Sequence, residues 1–150
     1  GRLVRPRIAR DGAASGTAGE RGRVISEKTA AELVSRVFEA VVEQGTAKDG
    51  RLEGFRIAGK TGTAKKYDSE ISAYTRTYTA SFVGFTPVGN PRLSMIVVLD
   101  RPKEAYYGGH VCAPVFRNIA KLALRYLRVP PERPIPSPVL TAGAVSPRTP

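Results

Sequence analysis

The sequence is short of the residues that staple small proteins and hold metals. It has one cysteine, Cys112, so no disulfide can close within the chain. It also has one histidine, His110, and a single His with a single Cys cannot supply the ligands of a structural zinc site. One free thiol fits a reducing compartment or a protein that does not rely on bridges, so cysteine usage leaves the location open. Tryptophan is absent, and the six Tyr and five Phe are not interleaved with basic residues as a base-stacking platform requires. No stretch approaches the roughly eighteen apolar residues needed to cross a bilayer. Acid is scarce: 13 Asp and Glu against 24 Lys and Arg leave a formal charge of +11. The cations are Arg-rich and scattered along the chain, which reads as a solvated basic surface and not as a nucleic-acid interface.

What is present suffices for a folded unit, with 150 residues of which 41% are hydrophobic. Gly1 opens directly into Leu3–Ile8, which reads as a segment of something longer. Residues 3–9, interrupted by Pro6, predict an edge strand, and 11–22 a Gly- and Ala-rich loop. Ser26 is a good N-cap for a helix whose apolar stripe is Ala30, Leu33, Val34, Val37, Phe38, Val41 and Val42, with Gly45 just beyond its end. Phe55–Thr61 alternates as a strand, and the polar stretch 64–77 reads as a loop. Thr79–Phe85 and Leu93–Leu99 are β-rich and joined by a connection too short for a crossover helix, hence an antiparallel hairpin. Gly108-Gly109 marks a turn. Pro114 starts a second helix with Phe116, Ile119, Ala120, Ala123, Tyr126 and Leu127 on one face, stopped by Pro130-Pro131. The order predicts an α+β domain over 1–129, a three-stranded antiparallel sheet covered by helices. The Pro-rich stretch 130–150 reads as a disordered tail or linker.

Gly54 to Thr63 carries the chemistry, and it supports two incompatible readings. Gly54, Gly59, Lys60 and Thr61 satisfy G-x-x-x-x-G-K-[ST], and Met95–Asp100 resembles an apolar strand ending in a magnesium-binding Asp, which together suggest a nucleotide triphosphatase. A phosphate loop, however, follows a buried strand and opens into a helix. Here Asp49–Glu53 is not strand-like, Phe55–Ala58 alternates, and no helical period follows Thr61. The second reading takes Lys60-Thr61-Gly62-Thr63 as the end of a strand, one of the signatures shared by serine β-lactamases and penicillin-binding proteins.

The surroundings favour the second. Ile57 to Ala64, Ala80 to Pro87, and Gly108-Gly109 through Ala113-Pro114-Val115-Phe116 resemble, in order, the corresponding stretches of class B penicillin-binding proteins, with the division-type transpeptidases nearest. The resemblance covers about residues 1–129. It implies part of a five-stranded transpeptidase sheet, of which this chain holds three strands. It also implies an enzyme whose serine attacks a D-Ala-D-Ala stem peptide, releases D-Ala and passes the acyl group to an amine, with β-lactams as mimics of the donor.

By that resemblance, Lys60 places positive charge at the groove edge for proton transfer and carboxylate attraction. Thr61 and Thr63 hydrogen-bond the substrate carboxylate, the Thr63 N–H is half of an oxyanion hole, and Gly62 lets the substrate lie along the strand. No cofactor, metal or nucleic acid is implied. The implied setting is the extracytoplasmic face of the inner membrane, with wall-synthesis or division proteins as partners. The chain contains neither Ser-x-x-Lys nor Ser-x-Asn, so the nucleophile is expected in an upstream half of the domain, and this piece alone is expected to be inactive. A catalytically silent transpeptidase-like docking domain is the alternative. His110 and Cys112 read as a loop histidine and a small buried thiol. Tyr67, Tyr74, Tyr78, Tyr106 and Tyr107 read equally as groove lining or strand-end packing, and Lys65 and Lys66 as solvated loop charges.

Overall fold

The computed structural model describes residues 1–4 and 20–135. Most of the predicted strand 3–9 and loop 11–22 lies outside them. The described parts form a short antiparallel pair, β1 (Arg2–Val4) with β2 (Glu20–Arg23).

Ser26 does cap the first helix, its Oγ accepting from Thr29 N at 3.0 Å. The helix runs in three pieces: α1 (Glu27–Glu32), a π-helical stretch Leu33–Phe38, and α2 (Glu39–Glu43). The wider π turn shifts the stripe predicted from a uniform period. Val42 and Glu39 are buried, whereas Leu33 and Val37 stay 37% and 45% exposed. A 3-10 turn, Lys48–Gly50, follows.

The main sheet has the order β3-β4-β5, with β3 (Ala58–Asp68), β4 (Ala73–Thr86) and β5 (Leu93–Asp100), all antiparallel. The predicted α+β class and three-stranded meander are therefore found. The predicted loop 64–77 is instead mostly strand: Ala64 pairs with Thr79, Lys65 with Tyr78 and Tyr67 with Tyr74. Only 69–72 turn, with Asp68 Oδ1 accepting from Glu70 N at 2.9 Å and Ser72 at φ 49°. The polarity that suggested a loop belongs to a hairpin arm largely in solvent, where polar side chains suit both faces. The predicted strand start at Phe55 moves to Ala58, because Gly54 at φ 80° makes a turn closed by a Leu52–Phe55 bridge.

Gly108-Gly109, expected as a turn, opens α3 (Gly108–Val111). The final helix, α4 (Ala113–Tyr126), begins with Pro in its first turn as predicted. It buries Ala113, Phe116, Ala120 and Leu124, of which Phe116 and Ala120 belong to the predicted face, while Ile119 and Tyr126 of that face are 44% and 87% exposed. Residues on either flank of Phe116 and Ala120 satisfy the same spacing, and the sheet chooses which flank is covered. Phe116 meets Phe82 of β4 edge-on, ring centroids 5.0 Å apart and both side chains fully buried. Each such burial contributes about 1.5–3 kcal/mol. Ile57, Val42, Ala80 and Cys112 complete this core.

Contacts with the body continue past the predicted boundary at Val129. Gly54 O accepts from the amides of Glu132 and Arg133 at 2.8 and 3.1 Å. The Glu132 carboxylate accepts from Arg56 N and Gly89 N at 2.9 and 2.7 Å. Arg133 donates to Glu43 at 3.0 Å and to Glu39 at 3.1 Å. Residues 136–150 of the predicted tail lie outside the described residues. Among the described residues no helix is long and apolar enough to cross a membrane.

Candidate active site

The alternation of β3 sorts the signature residues. Lys60 and Gly62 lie on the face shared with Val83 and Ser81, their cross-strand partners, while Thr61 and Thr63 share the other with Phe82 and Ala80. Lys60 Nζ reaches back to Thr61 O at 2.9 Å. Among the described strands β3 pairs only with β4, so its other edge carries no ladder. Backbone groups two residues apart in a strand point to the same edge, so Thr61 and Thr63 present their N–H and C=O groups alike.

This arrangement does not form a phosphate loop. Gly59, Lys60 and Thr61 are mid-strand, paired with Gly84, Val83 and Phe82, and the chain continues as strand to Asp68 where a helix would be required. Asp100 is engaged by both its oxygens with Lys66 Nζ, at 2.7 and 2.8 Å, and accepts from Thr79 at 3.2 Å. Lys66 thus clamps β3 to β5, and it holds the Asp100 carboxyl below its ordinary range. Lys66 is not the solvated loop charge the sequence suggested. Lys65 is exposed.

Thr61 and Thr63 open into a cavity of about 280 Å³ lined also by Thr46, Tyr107, the two glycines and His110. Thr46 and Thr61 hydroxyls are hydrogen-bonded at 2.9 Å, and Thr63 Oγ1 accepts from Gly108 N at 3.4 Å. The glycines let α3 sit this close: a Cβ on Gly108 would overlap Ser81 O, and one on Gly109 would overlap Thr46 O. His110 Nδ1 is 2.7 Å from Asp49 Oδ2, and Asp49 O accepts from Arg117 Nη1 at 3.0 Å.

The tyrosines divide between two places. Tyr78 and Tyr106 stack at 4.2 Å, with Tyr107 beside Tyr106 at 4.6 Å and lining the cavity. Tyr67 and Tyr74 pair edge-on at 5.4 Å on the hairpin arm, away from it. Cys112 is fully buried, and burial pushes its thiol up, whereas His110 is exposed and turned to Asp49, so the two do not act together. Lys60 stands apart from the threonine cavity, on a sheet face where Val83, Ile96 and Val98 remain 48%, 62% and 52% exposed.

The structure therefore brings Thr61 and Thr63 together with Thr46, Tyr107 and His110, holds Asp49 against His110, and sets Lys60 on the opposite face of the same strand. Thr46 and Asp49 were not singled out from sequence. They sit in a turn-rich stretch whose local pattern says nothing about what lies across it. Among the described residues no group of three or more His, Cys, Asp or Glu is placed to hold a metal.

Comparison with known proteins identifies the family. The family described as penicillin binding protein transpeptidase domain matches residues 1–121. The chain is 34% identical over 111 residues to the peptidoglycan D,D-transpeptidase FtsI of Buchnera aphidicola subsp. Baizongia pistaciae, covering 73% of this chain and 19% of that protein. It is 36% identical over 124 residues to the probable peptidoglycan D,D-transpeptidase PenA of Neisseria gonorrhoeae, covering 82% of this chain and 20% of that one. Among solved structures, the apo TP domain of penicillin-binding protein 3 from Burkholderia pseudomallei superposes with a TM-score of 0.72 at 39% identity, covering 89% of this chain and 40% of that chain. The chain spans about a fifth of the length of the curated relatives it matches.

Proposed function

Because the chain belongs to the transpeptidase domain family of class B penicillin-binding proteins, we propose that it supplies one wall of a peptidoglycan D,D-transpeptidase active site. The serine nucleophile comes from another part of the same protein and forms an acyl-enzyme with a D-Ala-D-Ala stem peptide or with a β-lactam. The observation that carries this reading is the signature strand itself: an edge without a described partner, two threonine hydroxyls opening into one cavity, and a lysine on the other face.

Each group has a physical task in the two-step chemistry. The Thr61 and Thr63 hydroxyls donate to the terminal carboxylate of the stem peptide. The Thr63 N–H, on the unladdered edge, donates to the oxyanion that forms as the serine attacks. Gly62 leaves room for the substrate backbone along that edge. Lys60 faces the side from which the nucleophile-bearing part approaches, and there its ammonium stabilises the negative charge of the reacting groups and assists proton transfer. The exposed Val83, Ile96 and Val98 around it are covered by that same part. The enzyme works at the extracytoplasmic face of the inner membrane, with cell-wall synthesis and division proteins as its partners.

The test is covalent labelling of the full-length protein by a fluorescent penicillin. The expected result is a labelled band that Lys60→Ala abolishes. A folded full-length protein that takes no label would refute catalysis and leave a silent docking domain.

A further inference from the structure

A carboxylate holding one nitrogen of an imidazole, beside a cavity that admits substrate, is an arrangement for moving protons. Asp49 Oδ2 and His110 Nδ1 are 2.7 Å apart. An ionised carboxylate only accepts, so Nδ1 carries the hydrogen and, in the neutral ring, Nε2 keeps its lone pair. This is the tautomer that an aspartate imposes on the histidine of serine hydrolases. Both members are held from behind. Asp49 sits on the 3-10 turn, with its carbonyl bonded to Arg117 of α4. His110 sits on α3, whose two glycines press against the backbone of Thr46 and Ser81.

We infer that His110, oriented by Asp49, is the base that takes the proton from the acceptor amine when the acyl-enzyme is resolved. The inference rests on the transpeptidase reading above. Its first support is placement, since His110, Thr61 and Thr63 line one cavity. If the threonines hold the carboxylate of the departing D-amino acid, its nitrogen lies one carbon away. By microscopic reversibility, the incoming amine occupies the place the departing one vacated.

Its second support is the surrounding chemistry. The charged and titratable groups around the imidazole are Asp49 from the 3-10 turn, Arg117 through the Asp49 carbonyl, and Tyr107, its ring 6.4 Å away. Strand β3 contributes only the Thr61 and Thr63 hydroxyls to this cavity, and Thr46 adds a third. Among the groups lining the cavity, His110 offers an imidazole nitrogen lone pair that can accept a proton.

The step balances. The amine nitrogen bonds to the ester carbonyl carbon and its proton passes to Nε2. The ester C–O bond then breaks as Nε2 gives that proton back to the serine oxygen, so an amide, a free serine hydroxyl and a neutral imidazole result with no net gain or loss of protons.

The experiment uses the full-length protein, a thioester donor and a D-amino acid as acceptor. It measures the ratio of aminolysis to hydrolysis products across the neutral pH range. Because the ratio is taken on acyl-enzyme already formed, the amount acylated cancels. Replacing His110 by Gln or Ala is expected to lower the ratio by about 10²-fold and to alter its dependence on pH. Asp49→Asn is expected to lower it as well, since the amide can donate to Nδ1 and so reverse the tautomer. An unchanged ratio and pH profile in H110Q and H110A would overturn the inference while leaving the transpeptidase reading intact. A wild-type protein that the thioester does not acylate would overturn both.

Discussion

Gly109→Ala tests whether the seat of α3 builds the threonine cavity. In an unencumbered helix this change is favourable by up to about 1 kcal/mol, because alanine gives up less backbone entropy. Here the added Cβ would overlap the carbonyl oxygen of Thr46, a backbone atom that cannot swing aside as a side-chain end can. Relieving the overlap means lifting α3 from Thr46, and forced overpacking of this kind costs about 1–3 kcal/mol. The lift also breaks the 3.4 Å bond from Gly108 N to Thr63 Oγ1, worth about 0.5–1.5 kcal/mol. Steric and hydrogen-bond losses together outweigh the propensity gain, for a net destabilisation of about 2 kcal/mol, a factor of up to about 30 in the folding equilibrium. Urea unfolding of the full-length protein should show the midpoint falling with the slope unchanged. Penicillin acylation should fall in parallel, because the same lift carries Tyr107 and His110 out of the cavity wall. A variant as stable as the parent, or stabilised by the helix-propensity gain, would refute the close seating of α3 on Thr46.

Two further outcomes follow from buried groups. Glu39, 7% exposed, is held below the ordinary carboxylate range chiefly by the hydrogen bonds from Arg56, with the charges of Arg56 and Arg133 adding to that and burial opposing it. A depressed carboxylate contributes stability that is present above its unfolded-state value and is lost as pH falls through the folded one. Glu39→Gln should therefore lower stability at neutral pH by about 2 kcal/mol and flatten the acid limb of stability against pH, read by thermal unfolding across an acid series. Cys112, fully buried with its thiol pushed up by burial, should react with a thiol reagent only at the rate at which the protein unfolds, and rapid labelling of the native protein would contradict its placement.

Much of the architecture follows from local chemistry. Ser26 caps its helix, Pro114 opens the last one, and the β-rich runs on either side of 86–91 pair as a hairpin, because these choices depend on neighbours in sequence. The strand character of Lys60 to Thr63 was legible for the same reason. Its period of two, with no helix to follow, argues against a phosphate loop, and the pairing of Lys60 and Thr61 within β3 excludes one. The hairpin arm 64–77 was misread because its side chains are polar on both faces, and only the cross-strand partners of Tyr67 and Lys65 reveal it as strand.

Which helical stripe is buried, and which residues share the site, depended on the fold. The π turn at Leu33–Phe38 moves burial toward Glu39, and beside Phe116 and Ala120 the sheet selects Ala113 and Leu124 over Ile119 and Tyr126. Arg56 and Arg133, far apart in sequence, converge on Glu39. The Asp49–His110 contact spans 61 positions and the Thr46–Thr61 bond spans 15. Sequence thus determined most of the elements, the signature strand and the family it resembles, since propensity, capping and alternation act over a few residues. Tertiary structure alone decided the composition of the cavity, because only packing α3 against β3 and the turn before it brings Thr46 and His110 to the two threonines, with Asp49 against His110.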